Sequence, residues 1–183
     1  MVDHKPITLN KKLGLLLVAA LSICFGNALA DSDQEYSVRA ALAVNFARFT
    51  TWPENSLIPT NKNFTLCLVG NPVLEDAFAT LNGKNIGDRF LQVRYLTRFN
   101  HLNECQLLYI SDLDNNKLLS LLNEIKALPI LTLGEDDFFV THGGMVSLQI
   151  VDGKVGMTIN LNAAKRSNLS ISARVLKLAK IIQ

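Results

Sequence analysis

The chain has 183 residues, of which 49% are hydrophobic and 19% are charged, and its formal net charge at neutral pH is +2. This length and composition fit one folded domain with a sizeable core, and they exclude a disordered or strongly basic polypeptide. A charge balance so close to neutral gives no support for nucleic-acid binding, which relies on clustered cations.

Residues 1–30 have the pattern of a secretory signal peptide. Two lysines precede an apolar run over residues 13–21, which is too short to cross a bilayer comfortably. Small residues follow at Ala28 and Ala30, the positions that a signal peptidase reads. The sequence therefore predicts that residues 1–30 are cleaved and that residues 31–183 form a single exported domain.

A retained membrane anchor is the alternative interpretation of this segment. A lipoprotein is disfavoured because the bulky Ile23 directly precedes Cys24, where small residues are expected. Cleavage would remove three lysines and one aspartate, which leaves 15 basic and 15 acidic residues. No other run of the sequence is long and apolar enough to insert into a membrane.

Two cysteines, Cys67 and Cys105, follow the predicted signal peptide. In an oxidising compartment such a pair most often forms a disulfide, and two buried thiols are the alternative. A zinc site is disfavoured, because two cysteines without a nearby pair of histidines do not supply four ligands. The sequence therefore indicates neither a metal nor a cofactor.

Residues 37–52 are predicted to form a helix that Pro53 ends, since the residue before a proline avoids helical geometry. Apolar residues recur there at three- and four-residue steps, at Val38, Leu42, Phe46 and Phe49. Asn45 falls inside this stripe, so we expect its amide to bind a neighbouring backbone, with a ligand contact as the alternative. Arg48 lies at the edge of the stripe, where a solvated side chain with a packed stem is expected.

Strands and helices then alternate along the chain. The pattern predicts strands over 64–69, 91–96, 106–110 and 129–133 and helices over 72–81 and 113–128. Such alternation implies an α/β fold in which a mostly parallel sheet has helices on both faces. The predicted fold is therefore a three-layer, Rossmann-like sandwich.

Residues 145–160 read MVSLQIVDGKVGMTIN and predict an antiparallel hairpin at one edge of this sheet. Asp152-Gly153 favours a two-residue turn, because both central positions of a type I′ turn need positive φ. This register pairs Val146 with Ile159 and places the strong apolar pairs on one face. A short helix over 161–167 and a final helix are expected to follow. Ser170 or Ser172 would cap the final helix, whose apolar stripe is Ile171, Val175, Leu178, Ala179 and Ile182.

The residues show little catalytic chemistry. His101 and His142 are the histidines that remain after cleavage, and a Gly-x-Ser-x-Gly motif is absent from the sequence. The acidic run over 135–137 could hold a cation, although a solvated turn is the simpler interpretation. A GxGxxG motif after the first strand is missing, which leaves a dinucleotide site unsupported. We therefore expect a protein that is not an enzyme.

Several segments together are similar to the YfiR-like family of bacterial periplasmic proteins. They are residues 38–53 (VRAALAVNFARFTTWP), 66–70 (LCLVG), 143–146 (GGMV), 157–160 (MTIN), 161–166 (LNAAKR) and 169–179 (LSISARVLKLA). The resemblance covers nearly the whole mature chain, and it rests on the order and spacing of these motifs rather than on any one of them.

The resemblance implies a regulator that binds the periplasmic sensory domain of an inner-membrane GGDEF diguanylate cyclase and represses it. Cyclic di-GMP and biofilm formation would then fall, and the protein would act as a homodimer. Cys67 and Cys105 match a cysteine pair that is bridged in the family, whereas a second pair near the C-terminus is absent. The chain also departs at Met157-Thr158, where the family commonly has an aromatic residue and an acid.

Four polar or aromatic residues match positions typical of the family, namely Asn45, Trp52, Asn160 and Arg174. Each could contact a partner or be purely structural. Trp52 is expected to close the first helix against the core, and Arg174 to pair with a carboxylate or a carbonyl. The alternative function is a periplasmic small-molecule-binding module of a signalling or transport system. Its pocket would lie at the carboxyl ends of the parallel strands, near Gly70, Ser111 and Gly134.

Overall fold

The computed structural model describes residues 27–56, 62–151 and 153–183. The chain divides into two compact units, Met1–Gln34 and Glu35–Gln183. Of the first unit only residues 27–34 are described, and they are helical. Most of the predicted signal peptide therefore lies outside the described residues, and its cleavage stays a prediction.

Within the described ranges, eight strands form the main sheet and two short strands form a second one. In chain order the strands are β1 (Thr50–Thr51), β2 (Asn63–Gly70), β3 (Asn85–Ile86), β4 (Arg89–Tyr95), β5 (Leu107–Ser111), β6 (Leu131–Gly134), β7 (Val146–Val151), β8 (Lys154–Asn160), β9 (Ser170–Ile171) and β10 (Lys180–Ile182). The main sheet has the order β10-β8-β7-β6-β5-β2-β4-β3. Its neighbours run parallel except for the pairs β7–β8 and β3–β4.

The helices connect these strands and cover both faces of the sheet. They are α1 (Asn27–Arg48), α2 (Val73–Ala79), α3 (Asn115–Ile125), α4 (Asp137–Thr141), α5 (Leu161–Arg166) and α6 (Ala173–Leu176), with 3-10 turns at Glu54–Ser56 and Leu102–Glu104. Asp114 begins α3 by accepting a hydrogen bond from the Lys117 backbone N–H at 3.0 Å, which satisfies one free donor of the first turn. No helix in the described part of the chain is long and apolar enough to span a membrane.

The core lies in two layers because the side chains of a strand alternate between the faces of a sheet. On β2, Phe64, Leu66 and Leu68 contact the cluster that includes buried residues of α1, α2 and α5. Cys67 and Val69 point to the other cluster, which includes buried residues of α3 and α4. These two layers of helices around a mostly parallel sheet confirm the predicted α/β sandwich.

The predicted hairpin is confirmed in its register. Val146 pairs with Ile159, Leu148 with Met157, and Val151 with Lys154. Gly153 has φ of +70°, as the turn requires, and Asp152 lies outside the described residues. The hairpin is not the edge of the sheet, however, because β10 adds a parallel strand beside β8.

The first helix ends earlier, and buries a different face, than its sequence pattern predicts. It stops at Arg48, and the β-branched Thr50 and Thr51 form β1, which pairs with β9. The buried face consists mostly of small residues, at Ala40, Ala43, Val44, Phe46 and Ala47. Small side chains let the helix approach the sheet closely, and this turns Val38 toward solvent. Phe49, directly after the helix, is also exposed. Asn45 is exposed, so the expectation of a buried amide was wrong.

The prediction of a long final helix was also wrong. Ser172 caps α6 by accepting a hydrogen bond from the Arg174 backbone N–H at 3.3 Å, but the helix ends at Leu176. Lys180–Ile182 instead forms β10, in which Ile181 pairs with Ile159 of β8. The outer edge of β8 offers unpaired backbone groups, and β-branched residues suit a strand that binds them.

Cys67 and Cys105 form a disulfide between the middle of β2 and the residues just before β5. Their Cα atoms are 5.8 Å apart, and the two residues are 38 positions apart in the chain. Both residues are almost fully buried in the core layer that includes α3. A reductant therefore reaches this bond only when the core opens, which favours a structural role.

The double variant Cys67→Ala/Cys105→Ala is expected to lower Tm. Removing a cross-link that closes a loop of this length costs roughly 2–4 kcal/mol, and each kcal/mol shifts Tm by about 2–4 °C in a domain of this size. A decrease of roughly 5–15 °C should appear in thermal unfolding followed by circular dichroism. The control is the parent chain incubated for a long time with reductant at room temperature. Its Tm should stay unchanged, because the folded core keeps the reductant away from the disulfide. Equal Tm values for variant and parent would contradict a stabilising bond.

Candidate functional site

The carboxyl ends of the parallel strands meet at one edge of the sheet, where the sequence predicts a pocket. Gly70 at the end of β2 pairs with Ser111 at the end of β5, and Gly134 ends the neighbouring β6. Gly70 has φ of +104°, and a Cβ there would collide with the Ser111 carbonyl oxygen. Only glycine combines this conformation with so close an approach, so it permits the tight junction of the two strands.

A buried tyrosine and a glutamate occupy this edge. Tyr109 Oη donates to Glu135 Oε1 at 2.9 Å, and Ser111 Oγ donates to Glu135 Oε2 at 2.8 Å. Tyr109 and Ser111 are both buried, whereas Glu135 is partly exposed. The carboxylate therefore satisfies two buried hydroxyl groups at once, which ties β5 to the residue that follows β6.

The same contacts disfavour ionisation of the phenol. Burial raises the pKa of Tyr109 well above its ordinary value of 10.0, and the negative charge of Glu135 raises it further. Tyr109 consequently remains a neutral hydrogen-bond donor at physiological pH. Its role at this edge is to orient the Glu135 carboxylate rather than to accept a proton.

Two cavities open at this edge of the sheet. One has a volume of about 390 Å³, with Gly70, Tyr95 and Lys117 among its lining residues. The other has a volume of about 180 Å³ and is lined in part by Ser111 and Glu135. Gly70, Ser111 and Gly134 thus all line cavities at the predicted place.

The acidic run of the predicted turn divides into separate structural roles. Glu135 accepts the two buried hydroxyl groups, and Asp136 caps α4 by accepting a hydrogen bond from the Phe139 backbone N–H at 2.8 Å. Among the described residues, no cluster of three histidine, cysteine or acidic side chains could hold a metal ion. The arrangement is that of a capped and hydrogen-bonded turn.

Both histidines of the folded unit make local contacts. His101 Nδ1 lies 3.2 Å from Glu104 Oε1. The ring of His142 stacks on Phe138 with centroids 3.8 Å apart, and its Nδ1 lies 2.8 Å from the Phe138 carbonyl oxygen. Partners within four residues along the chain hold these rings in place, which matches polar positions in loops rather than a general base beside a nucleophile.

A third cavity, of about 260 Å³, lies at the opposite edge, where β2 and β4 begin. Arg48 and Trp52 both line it, so two predicted site residues come together there. The Arg48 Nε and Nη2 atoms donate to the Asn85 carbonyl oxygen at 3.2 and 3.0 Å. Trp52 is buried and contacts Phe64 edge to face, with ring centroids 5.1 Å apart. Trp52 therefore packs on the core beyond the end of α1.

The other predicted positions lie apart from these cavities. Asn160 caps α5, because its Oδ1 accepts from the Ala163 backbone N–H at 2.9 Å while its Nδ2 donates to the Val140 carbonyl oxygen at 2.8 Å. Arg174 and Asn45 are exposed on α6 and α1. The structure assigns Asn160 a structural role, and it brings neither Arg174 nor Asn45 into a cavity.

The pair of Tyr109 and Glu135 was missed at the level of sequence. Two signals were available: a tyrosine inside a fully apolar strand needs a hydrogen-bond partner, and Glu135 directly follows the end of another parallel strand. The pairing needed the strand order, because it joins residues 26 positions apart.

Comparison with known proteins identifies one family. The family model described as YfiR/HmsC-like matches residues 36–180. No curated protein matches the sequence. Among solved structures, the chain is similar to a conserved domain protein from Vibrio cholerae O1 biovar El Tor strain N16961, with 15% identity and a TM-score of 0.44. That match covers 70% of this chain and 57% of the other, so the chain spans little more than half of the Vibrio protein.

Replacing Tyr109 by Phe is expected to weaken the alkaline loss of stability. Because the pKa of Tyr109 is raised from 10.0 in the folded chain, the unfolded chain releases this proton first as pH increases. The stability that the protonated Tyr109 contributes is fully present below about pH 10. Above that pH, the free energy of unfolding falls by at most about 1.4 kcal/mol per pH unit. Denaturant titrations between about pH 9 and pH 11 should show a smaller slope for Tyr109→Phe.

The matched control for this variant is Tyr95→Phe, which removes a half-buried phenol whose Oη donates to the Gly70 carbonyl oxygen. Both variants lose one hydrogen bond, so the comparison is made between slopes with pH and not between absolute stabilities. If Tyr109→Phe loses stability with pH as steeply as the parent chain, the pKa of Tyr109 is not raised in the folded state.

Proposed function

The chain belongs to the YfiR/HmsC-like family, and from this membership we propose that it represses an inner-membrane diguanylate cyclase by binding the periplasmic sensory domain of that enzyme. Repression lowers cyclic di-GMP and biofilm formation. Members of this family are periplasmic regulators rather than catalysts, and they act on a membrane-associated diguanylate cyclase. The observation that carries the proposal is the family match over residues 36–180, which spans almost all of the unit Glu35–Gln183.

Repression of this kind is a shift between receptor conformations. A binding protein lowers cyclase activity only if it binds the inactive state of the sensory domain more tightly than the active state. A tenfold shift in the ratio of the two states needs a difference of about 1.4 kcal/mol in binding free energy. A modest interface is sufficient for such a difference, and the regulator needs no catalytic group.

The surface that we assign to the receptor is the edge formed by β10 and the adjoining end of β8. Leu178 is 73% exposed, while Ile181 and Val155 are each 37% exposed. The other exposed large apolar residues of the described chain are distributed over α1, the residue that follows it, α2, β4 and α3. At the β10 edge, by contrast, the exposed apolar residues lie beside a strand whose outer backbone groups have no partner strand within the described residues. Such a free edge offers hydrogen bonds to another chain.

The same proposal includes the location and assembly of the protein. The basic and apolar pattern of residues 1–30 supports export through a signal peptide with cleavage after Ala30. The family resemblance supports a homodimer. Mass spectrometry of the protein recovered from periplasmic extracts tests the first point, and sedimentation equilibrium tests the second.

A small-molecule-binding module is the second candidate function. It is supported by the 390 Å³ and 180 Å³ cavities at the carboxyl edge of the sheet, where α/β proteins commonly bind ligands. Against it, the buried hydroxyl groups of Tyr109 and Ser111 are already bonded to Glu135. The regulatory proposal therefore has the stronger support.

Deleting the gene is expected to raise intracellular cyclic di-GMP, because the cyclase would lose its repressor. The concentration should be measured by mass spectrometry in the deletion strain, in double-deletion strains that also lack one membrane GGDEF protein each, and in the complemented deletion. The increase should vanish after complementation and in the double deletion that removes the repressed cyclase. Unchanged cyclic di-GMP in the single deletion under several growth conditions would contradict repression and favour the binding module.

Leu178→Asp is expected to weaken binding to the isolated sensory domain at least tenfold, since it places a charge in an apolar contact. Leu119→Asp is the matched control, because Leu119 is an exposed leucine of α3, in the layer on the opposite face from α1. Both variants should keep the parent Tm to within a few degrees, because both side chains are exposed. The dissociation constants should be measured by surface plasmon resonance. If they change equally for both variants, the β10 edge is excluded as the docking surface.

A further inference from the structure

The largest of the three cavities lies at the carboxyl edge of the sheet and has a volume of about 390 Å³. We propose that it binds an uncharged, mainly apolar small molecule with one neutral hydrogen-bonding group, such as an alcohol. The inference names a ligand class for one cavity of the second candidate function and goes beyond the proposed repressor function. Binding is measured on the purified chain alone, so its failure leaves the test of repression unaffected.

The size and the position of this cavity are those of a ligand site. Sites for small molecules usually have volumes of about 300–1,000 Å³, a range that includes this cavity and neither of the other two. Gly70 ends β2 and Tyr95 ends its parallel neighbour β4, and both residues line the cavity. The cavity therefore opens where two parallel strands end, which is where α/β sheets commonly bind ligands.

Most of the lining is apolar. Val69 is almost fully buried, whereas Tyr95, Leu96, Phe99 and Leu113 are only partly buried by the rest of the fold. The fold thus leaves aliphatic and aromatic surface uncovered within a concave site. An apolar ligand that covers this surface removes it from water, which is favourable in proportion to the area buried.

The polar groups of the lining are already paired, and this selects against an ion. Among the described residues that line the cavity, Lys117 is the one with a charge, and its Nζ lies 3.0 Å from Asp114 Oδ2. The Tyr95 hydroxyl donates to the Gly70 carbonyl oxygen. A charged ligand would lose water here without gaining an unpaired counter-ion, which is costly. Thr97 contributes a hydroxyl group, so the ligand can carry one neutral hydrogen-bonding group.

Backbone contacts hold the walls of the cavity in place. Gly70 has φ of +104° at the junction of β2 and β5, and the Leu96 backbone N–H donates to the Leu68 carbonyl oxygen at 2.9 Å. On the other side of the cavity, Asp114 caps α3 directly after Leu113. A site that is formed before the ligand arrives binds it with a smaller loss of conformational entropy.

Tyrosine supplies a readout that is specific to this cavity. The three tyrosines of the chain are Tyr36, Tyr95 and Tyr109, and of these Tyr95 alone lines the cavity. The purified chain labelled with 3-fluorotyrosine should give three resonances in fluorine NMR. Replacing each tyrosine in turn by phenylalanine assigns them. A ligand in this cavity should shift the Tyr95 resonance most, in a saturable manner.

The ligands form two series that vary in charge at nearly constant size. Hexan-1-ol, hexanoate and hexylamine share an alkyl chain, whereas benzyl alcohol, benzoate and benzylamine share a ring. We expect both alcohols to bind, and in each series we expect the anion and the cation to bind at least about fivefold more weakly than the alcohol. Isothermal titration calorimetry should give the same order of affinities.

Two phenylalanines provide a matched pair of variants. Phe99→Ala removes apolar surface from the lining and should weaken the binding of both alcohols about fivefold. Phe90→Ala is the control, because Phe90 is 50% exposed on β4 and is not among the residues that line the cavity. It should change these affinities less than about twofold. Melting curves show whether Phe99→Ala keeps the fold, and the milder Phe99→Leu replaces it in the comparison if it does not.

Three results would overturn the proposal. The first is the absence of a saturable shift of the Tyr95 resonance with both alcohols. The second is an anion or a cation that binds as tightly as the alcohol of its series, which would contradict recognition of an uncharged ligand. The third is an equal loss of affinity in the folded Phe99 and Phe90 variants, which would place the ligand outside this cavity.

Discussion

The structure depends on the pairing of β2 with a parallel strand on each side. β2 is buried on both faces, and its alternate side chains belong to the two separate core layers. Its backbone binds β4 on one side and β5 on the other, and its Cys67 carries the disulfide to Cys105. Because a strand in this position satisfies its backbone only when both neighbours are in place, the sheet, the disulfide and both core layers all depend on β2.

The two ends of β2 also bound the two edges at which cavities occur. Phe64 lies at the amino edge beside Trp52, and Gly70 lies at the carboxyl edge beside Ser111. The part of α1 from Tyr36 to Arg48 runs between the same edges. The Tyr36 hydroxyl accepts from Asn71 Nδ2 at 3.2 Å near the carboxyl edge, and Arg48 bonds the Asn85 carbonyl oxygen at the amino edge. The edges nevertheless differ in chemistry. Hydroxyl groups and a carboxylate satisfy each other at the carboxyl edge, whereas Thr50 Oγ1 and Trp52 Nε1 near the amino edge are buried without a hydrogen-bond partner within the described residues.

A regulator of the kind proposed needs surfaces more than it needs reactive groups. The described chain offers an apolar strand edge at β10, a buried disulfide and histidines with local contacts. The sheet gives this edge a fixed shape, because β10 is held in register by β8 and the hairpin. A rigid surface limits the entropy lost on binding, so even a small interface can discriminate between two receptor conformations.

The sequence by itself determined the features that local chemistry decides. The Asp-Gly turn and the alternation on either side of it specified the hairpin register, and the alternation of strands and helices specified a parallel sheet with helices on both faces. Asn160 was singled out from the sequence, but its role as the cap of α5 emerged only when Val140 was placed beside it.

Only the tertiary structure decided which competing pattern prevails. The final segment has a helical stripe, yet Lys180–Ile182 becomes a strand because the open edge of β8 binds its backbone. The large apolar residues of α1 suggested one buried face, yet the alanines are buried because they allow the closest approach to the sheet. The cavity beside Trp52 joins the segment after α1 to β2, β3 and the start of β4. Periodicity describes one element at a time, whereas backbone pairing, helix rotation and cavities depend on neighbours that are distant in the chain.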